Sequence, residues 1–203
     1  MFKRNQLYVS LFATSMLLGS VSVMAQETAP GDATVTVQNT FDIAQVSGID
    51  FGTVRATVDS DATDDAGSVH VSTLPLDTQG AHGTITTAGG ATTTSSITVL
   101  ATGAAGEFAI TNAAPFTAIN ITAPAAFDLV NGSGSPTTAV FGVGTFTFRE
   151  TGAVADGTAV TTDINGEINF TMGASLSTDD NAATRTNYID GAYTGTFTLQ
   201  VAY

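Results

Sequence analysis

The sequence has 203 residues, with 18 acidic and 5 basic side chains and no cysteine. Disulfides, thiol catalysis and thiolate metal sites are therefore excluded. A formal net charge of −13 also disfavours phosphate backbones and anionic membrane surfaces as partners, so we expect no nucleic-acid binding.

The N-terminus has the layout of a secretory signal peptide. Lys3 and Arg4 precede an apolar run over residues 7–23, and small or modest side chains then occupy the −3 and −1 positions of a cleavage site. A membrane anchor is the other interpretation, but the apolar run is short for a bilayer span. We therefore expect a signal peptide over residues 1–25 and a single mature domain over residues 26–203. The mature chain would have no transmembrane segment, and its location would be the periplasm, the outer surface or the medium.

The mature part has a composition typical of β-sheet proteins. It contains 35 threonines and no lysine, and Arg55, Arg149 and Arg185 are its only basic residues, which gives a net charge of −15 (3 minus 18). Threonine and valine favour half-buried strands, whereas glycine and aspartate favour the turns between them. The 12 phenylalanines of the chain indicate a packed core rather than a disordered segment.

Alternation of apolar and polar residues predicts strands along most of the mature chain. In chain order, they cover residues 33–41, 43–54, 69–75, 84–86, 97–100, 108–110, 119–121, 127–130, 140–148, 164–176 and 193–203. Within residues 140–148, the alternation predicts Phe141 and Val143 on one face and Phe146 and Phe148 on the other.

The last of these segments has the most regular pattern. Strict alternation predicts one strand of eleven residues, with one face formed by Tyr193, Phe197, Leu199, Val201 and Tyr203. Such a face needs an apolar partner, because each large side chain gains about 1.5–3 kcal/mol when it is fully buried. The face either completes the sandwich of its own chain or takes part in strand addition between chains.

Short strands separated by clusters of turn residues, with no helical period after residue 25, predict the fold class. We expect an all-β, immunoglobulin-like antiparallel β-sandwich. Threonines would face the solvent and aliphatic residues the core.

Four segments resemble a known family: residues 49–54 (IDFGTV), 67–71 (GSVHV), 172–176 (MGASL) and 191–203 (GAYTGTFTLQVAY). Together they are similar to a bacterial secreted family catalogued only as a domain of unknown function, number 4402. The layout is more distantly similar to spore coat protein U and to the subunits of chaperone–usher pili. In those proteins an incomplete immunoglobulin-like sandwich is completed by a strand of a neighbour. The resemblance implies a fold and an export route, but no activity.

Catalytic residues are scarce. His70 and His82 are the only side chains whose ordinary pKa makes them near-neutral bases. We expect both to be solvated, one on the outer face of a strand and the other in a glycine-rich turn. No nucleophile elbow, zinc-protease motif or phosphate loop is present. Exposed tryptophans, which sugar-binding clefts often use, are absent as well. The sequence therefore predicts no enzyme and no cofactor.

One acidic turn is a candidate calcium site, because calcium takes six to eight oxygen ligands. The spacing of its carboxylates differs from that of an EF-hand, so a solvated turn is the simpler interpretation. Asp179 and Asp180 form a second, weaker candidate. The four residues of the first turn are Asp59, Asp61, Asp64 and Asp65.

Self-association is the function that the sequence favours. Val35, Val37 and Phe41 share one face of a segment that could add to a sheet edge of another copy. Lysines often protect such edges, and the mature chain has none. We expect a secreted, non-enzymatic structural or surface protein, such as a fimbria-like or adhesion subunit, whose partners are further copies or other surface proteins. The alternative is a monomeric module that binds calcium or a glycan.

Overall fold

The computed structural model describes residues 32–37, 40–59, 69–89, 94–180 and 186–203. The chain divides into two units, Met1–Val37 and Gln38–Tyr203. Within the first unit, residues 32–37 are exposed and belong to no strand. The predicted strand over residues 33–41 is therefore not formed within the chain at residues 33–37. The predicted signal peptide lies outside the described residues.

The second unit consists of strands. Its described residues contain no helix, and no helix that could cross a membrane occurs in the described part of the chain. The strands are β1 (Asp42–Ser47), β2 (Thr53–Thr57), β3 (Val71–Leu76), β4 (Thr86–Ala88), β5 (Ser96–Ala101), β6 (Gly106–Thr111), β7 (Ala118–Thr122), β8 (Phe127–Asn131), β9 (Phe141–Glu150), β10 (Ala159–Thr161), β11 (Ile168–Thr178), β12 (Tyr193–Thr194) and β13 (Gln200–Ala202).

These strands form one large sheet and two small ones. The large sheet has eight strands in the order β1-β6-β11-β9-β8-β12, and β3 and β4 extend it beside the second half of β11. The small sheets have the orders β10-β7-β13 and β2-β5. Every pair of described strands is antiparallel.

Two apolar cores lie between these layers. The first core joins β6, β9 and β11 of the large sheet to the three-stranded sheet. The second joins β3, β9 and the other half of β11 to the two-stranded sheet. The predicted all-β antiparallel sandwich is thus confirmed, with a second layer that is split in two. Fully buried side chains in these cores include Phe170, Ile110, Ile119, Leu74 and Val143.

Strand β11 belongs to both cores. Phe170 and Met172 lie in the first core, and Ala174 and Leu176 lie in the second. These four residues alternate without interruption, so they occupy one face of a single strand. Its partner β9 pairs with it over almost its whole length.

The bulge in β9 reverses its inside and outside faces. Between the pairs Gly173–Thr147 and Ser175–Gly144, β9 contains one residue more than β11. Thr145 has a φ of 49° there, which is uncommon for a β-branched residue. Because of the extra residue, Phe141 and Phe148 both face the cores. The predicted placement of these two residues on opposite faces is therefore wrong.

The predicted eleven-residue strand at the end of the chain is also wrong, because it is interrupted. Strand β12 pairs with β8 of the large sheet, whereas β13 pairs with β7 of the three-stranded sheet. The crossing passes close to the main chain: a Cβ on Gly195 would lie 2.5 Å from the carbonyl oxygen of Asp128. The alternation itself persists, because Phe197, Leu199 and Val201 pack against the first core.

Replacement of Thr145 by glycine is expected to stabilise the protein by about 1 kcal/mol, because glycine adopts positive φ without the steric penalty of a β-branched side chain. Thr147→Gly, two residues along the same strand, is the matched control. It should destabilise by about 1 kcal/mol, since glycine weakens a regular strand interior. Urea unfolding measures both changes. Equal destabilisation by the two variants would contradict the strain assigned to the bulge.

Candidate functional site

The two histidines, predicted to be solvated, are partly buried, and this prediction is wrong. His70 precedes β3, and its Nδ1 atom accepts the backbone N–H of Ser95 at 3.1 Å. The Nε2 atom of His82 is buried and has no hydrogen-bond partner among the described residues. Neither ring is placed as an open, solvent-exposed base.

Ser95 lies beside His70, with 3.0 Å between its Oγ and Nδ1 of the ring. A serine and a histidine at this distance are also found in hydrolases. However, Ser95 is 3% exposed, and its hydroxyl donates a hydrogen bond to the hydroxyl oxygen of Ser72 at 3.1 Å. Ser72 in turn donates to the carbonyl oxygen of Ser95. The cluster holds the start of β5 against β3, and it offers no accessible nucleophile.

The predicted calcium turn is only partly described. Asp59 is fully buried, and one of its carboxylate oxygens accepts the backbone N–H of His70 at 2.9 Å. Asp61, Asp64 and Asp65 lie outside the described residues, and no group of three possible metal ligands occurs within the described ranges.

Asp179 and Asp180, the weaker calcium candidate, differ in their surroundings. Asp179 is 3% exposed, and its carboxylate accepts the backbone N–H of Val140 at 3.0 Å. Asp180 is exposed. The buried carboxylate therefore secures the start of β9 instead of facing the solvent.

An open cleft of about 810 Å³ runs along one side of β2. Residues 52–56 form one wall, while β5 contributes only Leu100. The cleft therefore lies along the edge of β2 that faces away from β5. Its floor consists of apolar side chains from β8 and β9 of the large sheet, namely Phe127, Leu129, Phe141 and Val143.

The edge of β2 at this cleft carries unpaired backbone groups. In the described chain β2 pairs only with β5. In an antiparallel pair, every second residue directs its N–H and C=O away from the partner strand. The cleft therefore combines a free strand edge with an apolar floor, which is the arrangement that another strand requires.

The opposite wall is formed by residues 188–195 and is rich in aromatic side chains. Tyr188 stacks on Phe141, with 4.2 Å between the ring centroids, and Tyr193 meets Phe141 edge-on at 5.1 Å. Both tyrosine hydroxyls are engaged within the protein. That of Tyr188 accepts the N–H of Asp179 and donates to the carbonyl oxygen of Val140. That of Tyr193 hydrogen-bonds the backbone of Ile189.

Arg55 lies at the rim of the cleft and is exposed. Asp50 and Asp190 also line the cleft, and Asp50 accepts the N–H of Gly52 at 2.7 Å. Of the two arginines that the structure describes, Arg149 pairs with Asp156 at 2.8 Å. Arg55 forms no ion pair with any described residue.

The residues predicted for strand addition fall into two groups. Val35 and Val37 are 87% and 73% exposed. Phe41 packs against the first core and meets Tyr203 edge-on, with 5.0 Å between the ring centroids. The other C-terminal residues also pack against the cores of their own chain: Tyr193, Phe197, Leu199 and Val201.

Comparison with known proteins identifies a family. The model described as "Domain of unknown function (DUF4402)" matches residues 41–203. The chain belongs to this family. The resemblance predicted from the four sequence segments is thus confirmed. No curated protein and no solved structure matches, so the similarity to spore coat protein U and pilus subunits stays a prediction.

Sequence reasoning missed the cleft and the position of Arg55. The cleft depends on which strands remain unpaired, and no local pattern encodes that. One signal was available: Arg55 lies between Val54 and Ala56 in an alternating segment, which places its side chain on the outer face.

Replacement of Tyr188 by phenylalanine is expected to destabilise the protein by about 1–3 kcal/mol at neutral pH, because a buried donor and acceptor lose their partner. Burial raises the pKa of Tyr188 above its ordinary value of 10.0. The phenol therefore ionises first in the unfolded chain, and its contribution to stability falls as the pH rises above about 10. The difference between wild type and Tyr188→Phe in the free energy of unfolding, measured with denaturant, should become smaller above about pH 10. A constant difference from pH 7 to pH 11 would contradict this assignment.

Proposed function

We propose that the mature chain is a secreted, non-enzymatic structural subunit that assembles by β-strand addition. In this proposal the N-terminal segment, defined as residues 32–37, adds to a free strand edge of the next copy. Export is inferred from the leader pattern of residues 1–25. The location would then be the periplasm, the outer surface or the medium.

The proposal rests mainly on the exposure of the N-terminal segment and on its lack of strand pairing within the described chain. Its two valines alternate with threonines, as in a half-buried strand. Yet both are mostly exposed, and no described residue from 32 to 37 belongs to a strand. The described residues of both cores lie at position 41 and beyond. The segment is thus available for pairing in trans, where backbone hydrogen bonds supply affinity and alternate side chains supply specificity.

The rest of the molecule supports a structural role. Ser95 and His70 hydrogen-bond to each other. The hydroxyls of Tyr188 and Tyr193, which line the cleft, both donate to backbone carbonyl oxygens. Tyrosines of this kind are poorly suited to bind sugar hydroxyls. The free edge of β2, by contrast, suits an added strand.

Removal of the N-terminal segment is expected to abolish assembly. A form comprising residues 26–203 should give multimers that grow with concentration, whereas a form comprising residues 40–203 should be monomeric. The shorter form keeps Phe41, so its first core stays intact. Size-exclusion chromatography with light scattering and negative-stain microscopy measure the outcome.

Two double variants test whether assembly depends on the apolar side chains of the segment, because both keep the segment itself. Val35→Thr with Val37→Thr keeps the size and β-propensity but removes apolar surface, so assembly should weaken by about tenfold or more. Thr34→Ser with Thr36→Ser changes the other face and should leave assembly within about twofold of wild type. Monomers from both the long and the short form would refute strand addition. A calcium-dependent rise in melting temperature would then favour the alternative binding module.

A further inference from the structure

We propose that the cleft beside β2 receives the N-terminal segment of a second copy, and that Asp32 of that copy pairs with Arg55. The inference rests on the proposed function and names its acceptor.

The dimensions and chemistry of the cleft match the segment. One wall spans residues 52–56, of which residues 53–56 belong to β2, and the alternating part of the segment, residues 33–37, is long enough to pair along it. An added strand would hydrogen-bond to the free edge of β2. Its apolar side chains would then contact Phe127, Leu129 and Phe141 on the floor.

The exposed edge strand β1 is a poorer acceptor. It contains a bulge between Gln45 and Ser47, opposite β6. Bulges twist a strand and disrupt regular pairing, and natural proteins use them to protect edges. All six residues of β1 are also exposed, so its side chains bury little surface. Strand β2 has its side chains alternately half-buried and exposed.

The side-chain directions place two opposite charges together. Along β2, Val54 and Ala56 pack against the second core, so Arg55 points to the outer face. When Val35 and its alternate neighbours face the floor, Asp32 points to the same outer face as Arg55. Cross-strand neighbours directly opposite, or one pair along, are within reach of a long side chain.

The electrostatics favour this pairing over other approaches of two copies, which would bring negatively charged surfaces together. The mature chain has a net charge of −15 (3 minus 18), so copies repel one another in general. Arg55 forms no ion pair with any residue that the structure describes, and it lies at the rim of the acceptor. An aspartate immediately before the alternating residues is placed to meet it.

The contact is heterologous, because the segment of one copy enters the cleft of the next. A dimer thus keeps one free segment and one free cleft, and a rotation that does not close gives an open linear multimer. This directionality makes the ion pair testable by mixing.

The test uses the chain comprising residues 26–203 with Arg55→Asp, with Asp32→Arg, and with both substitutions. Each single variant replaces attraction by repulsion and should weaken association by roughly three- to tenfold at about 0.1 M salt. The double variant should assemble as wild type does. A mixture of the two single variants should restore multimers in which the variants alternate, since both pairings between unlike variants are complementary and both pairings between like variants are repulsive. Analytical ultracentrifugation resolves these species.

Glu27→Arg is the matched control for Asp32→Arg. It makes the same charge change five residues upstream, roughly 17 Å along an extended chain, which exceeds the Debye length of about 10 Å at 0.1 M salt, and should alter association by less than about twofold. Multimers that require the N-terminal segment but respond equally to all charge variants would overturn the acceptor assignment while leaving strand addition in place. Absence of multimers from the wild-type chain would overturn the proposed function itself.

Discussion

The pairing of β11 with β9 is the interaction on which the rest of the structure depends. The two strands are 11 and 10 residues long, roughly twice the length of an average strand. One continuous face of β11 supplies side chains to both apolar cores. The two small sheets share no strand pair with each other. They are held in one domain because each packs on a different half of the same central ladder.

The cost of this arrangement is local strain. A regular β9 would have kept Phe148 on the face opposite Phe141, and the bulge at Thr145 brings both rings inside. Alternation in the sequence predicted the strand correctly, because side-chain period is a local property. It could not predict the reversal, since the extra residue is defined only against the partner strand. The same reasoning applies to the final segment, where alternation persists across a change of sheet.

The candidate site was harder to predict than the fold, for a physical reason. Val35 and Val37 were identified because their pattern is local. The proposed acceptor is a gap between the edge of β2 and the side chains of β8, and it lies where the second layer is split. No residue type signals an unpaired edge. The prediction for His70 failed for a related reason. A polar side chain next to a strand was expected in solvent, whereas hydrogen bonds to Ser95, distant in sequence, keep the ring partly buried.

The ring contact between Phe41 and Tyr203 joins positions at opposite ends of the domain. Strand β13 likewise pairs with β7, about halfway back along the chain. Contacts of such long sequence separation imply a high contact order, for which folding is slow. The first core lacks part of its wall until β13 has been synthesised. Late closure of this core would suit the export that we propose, because an unfolded polypeptide is the form that can be threaded through a narrow membrane channel.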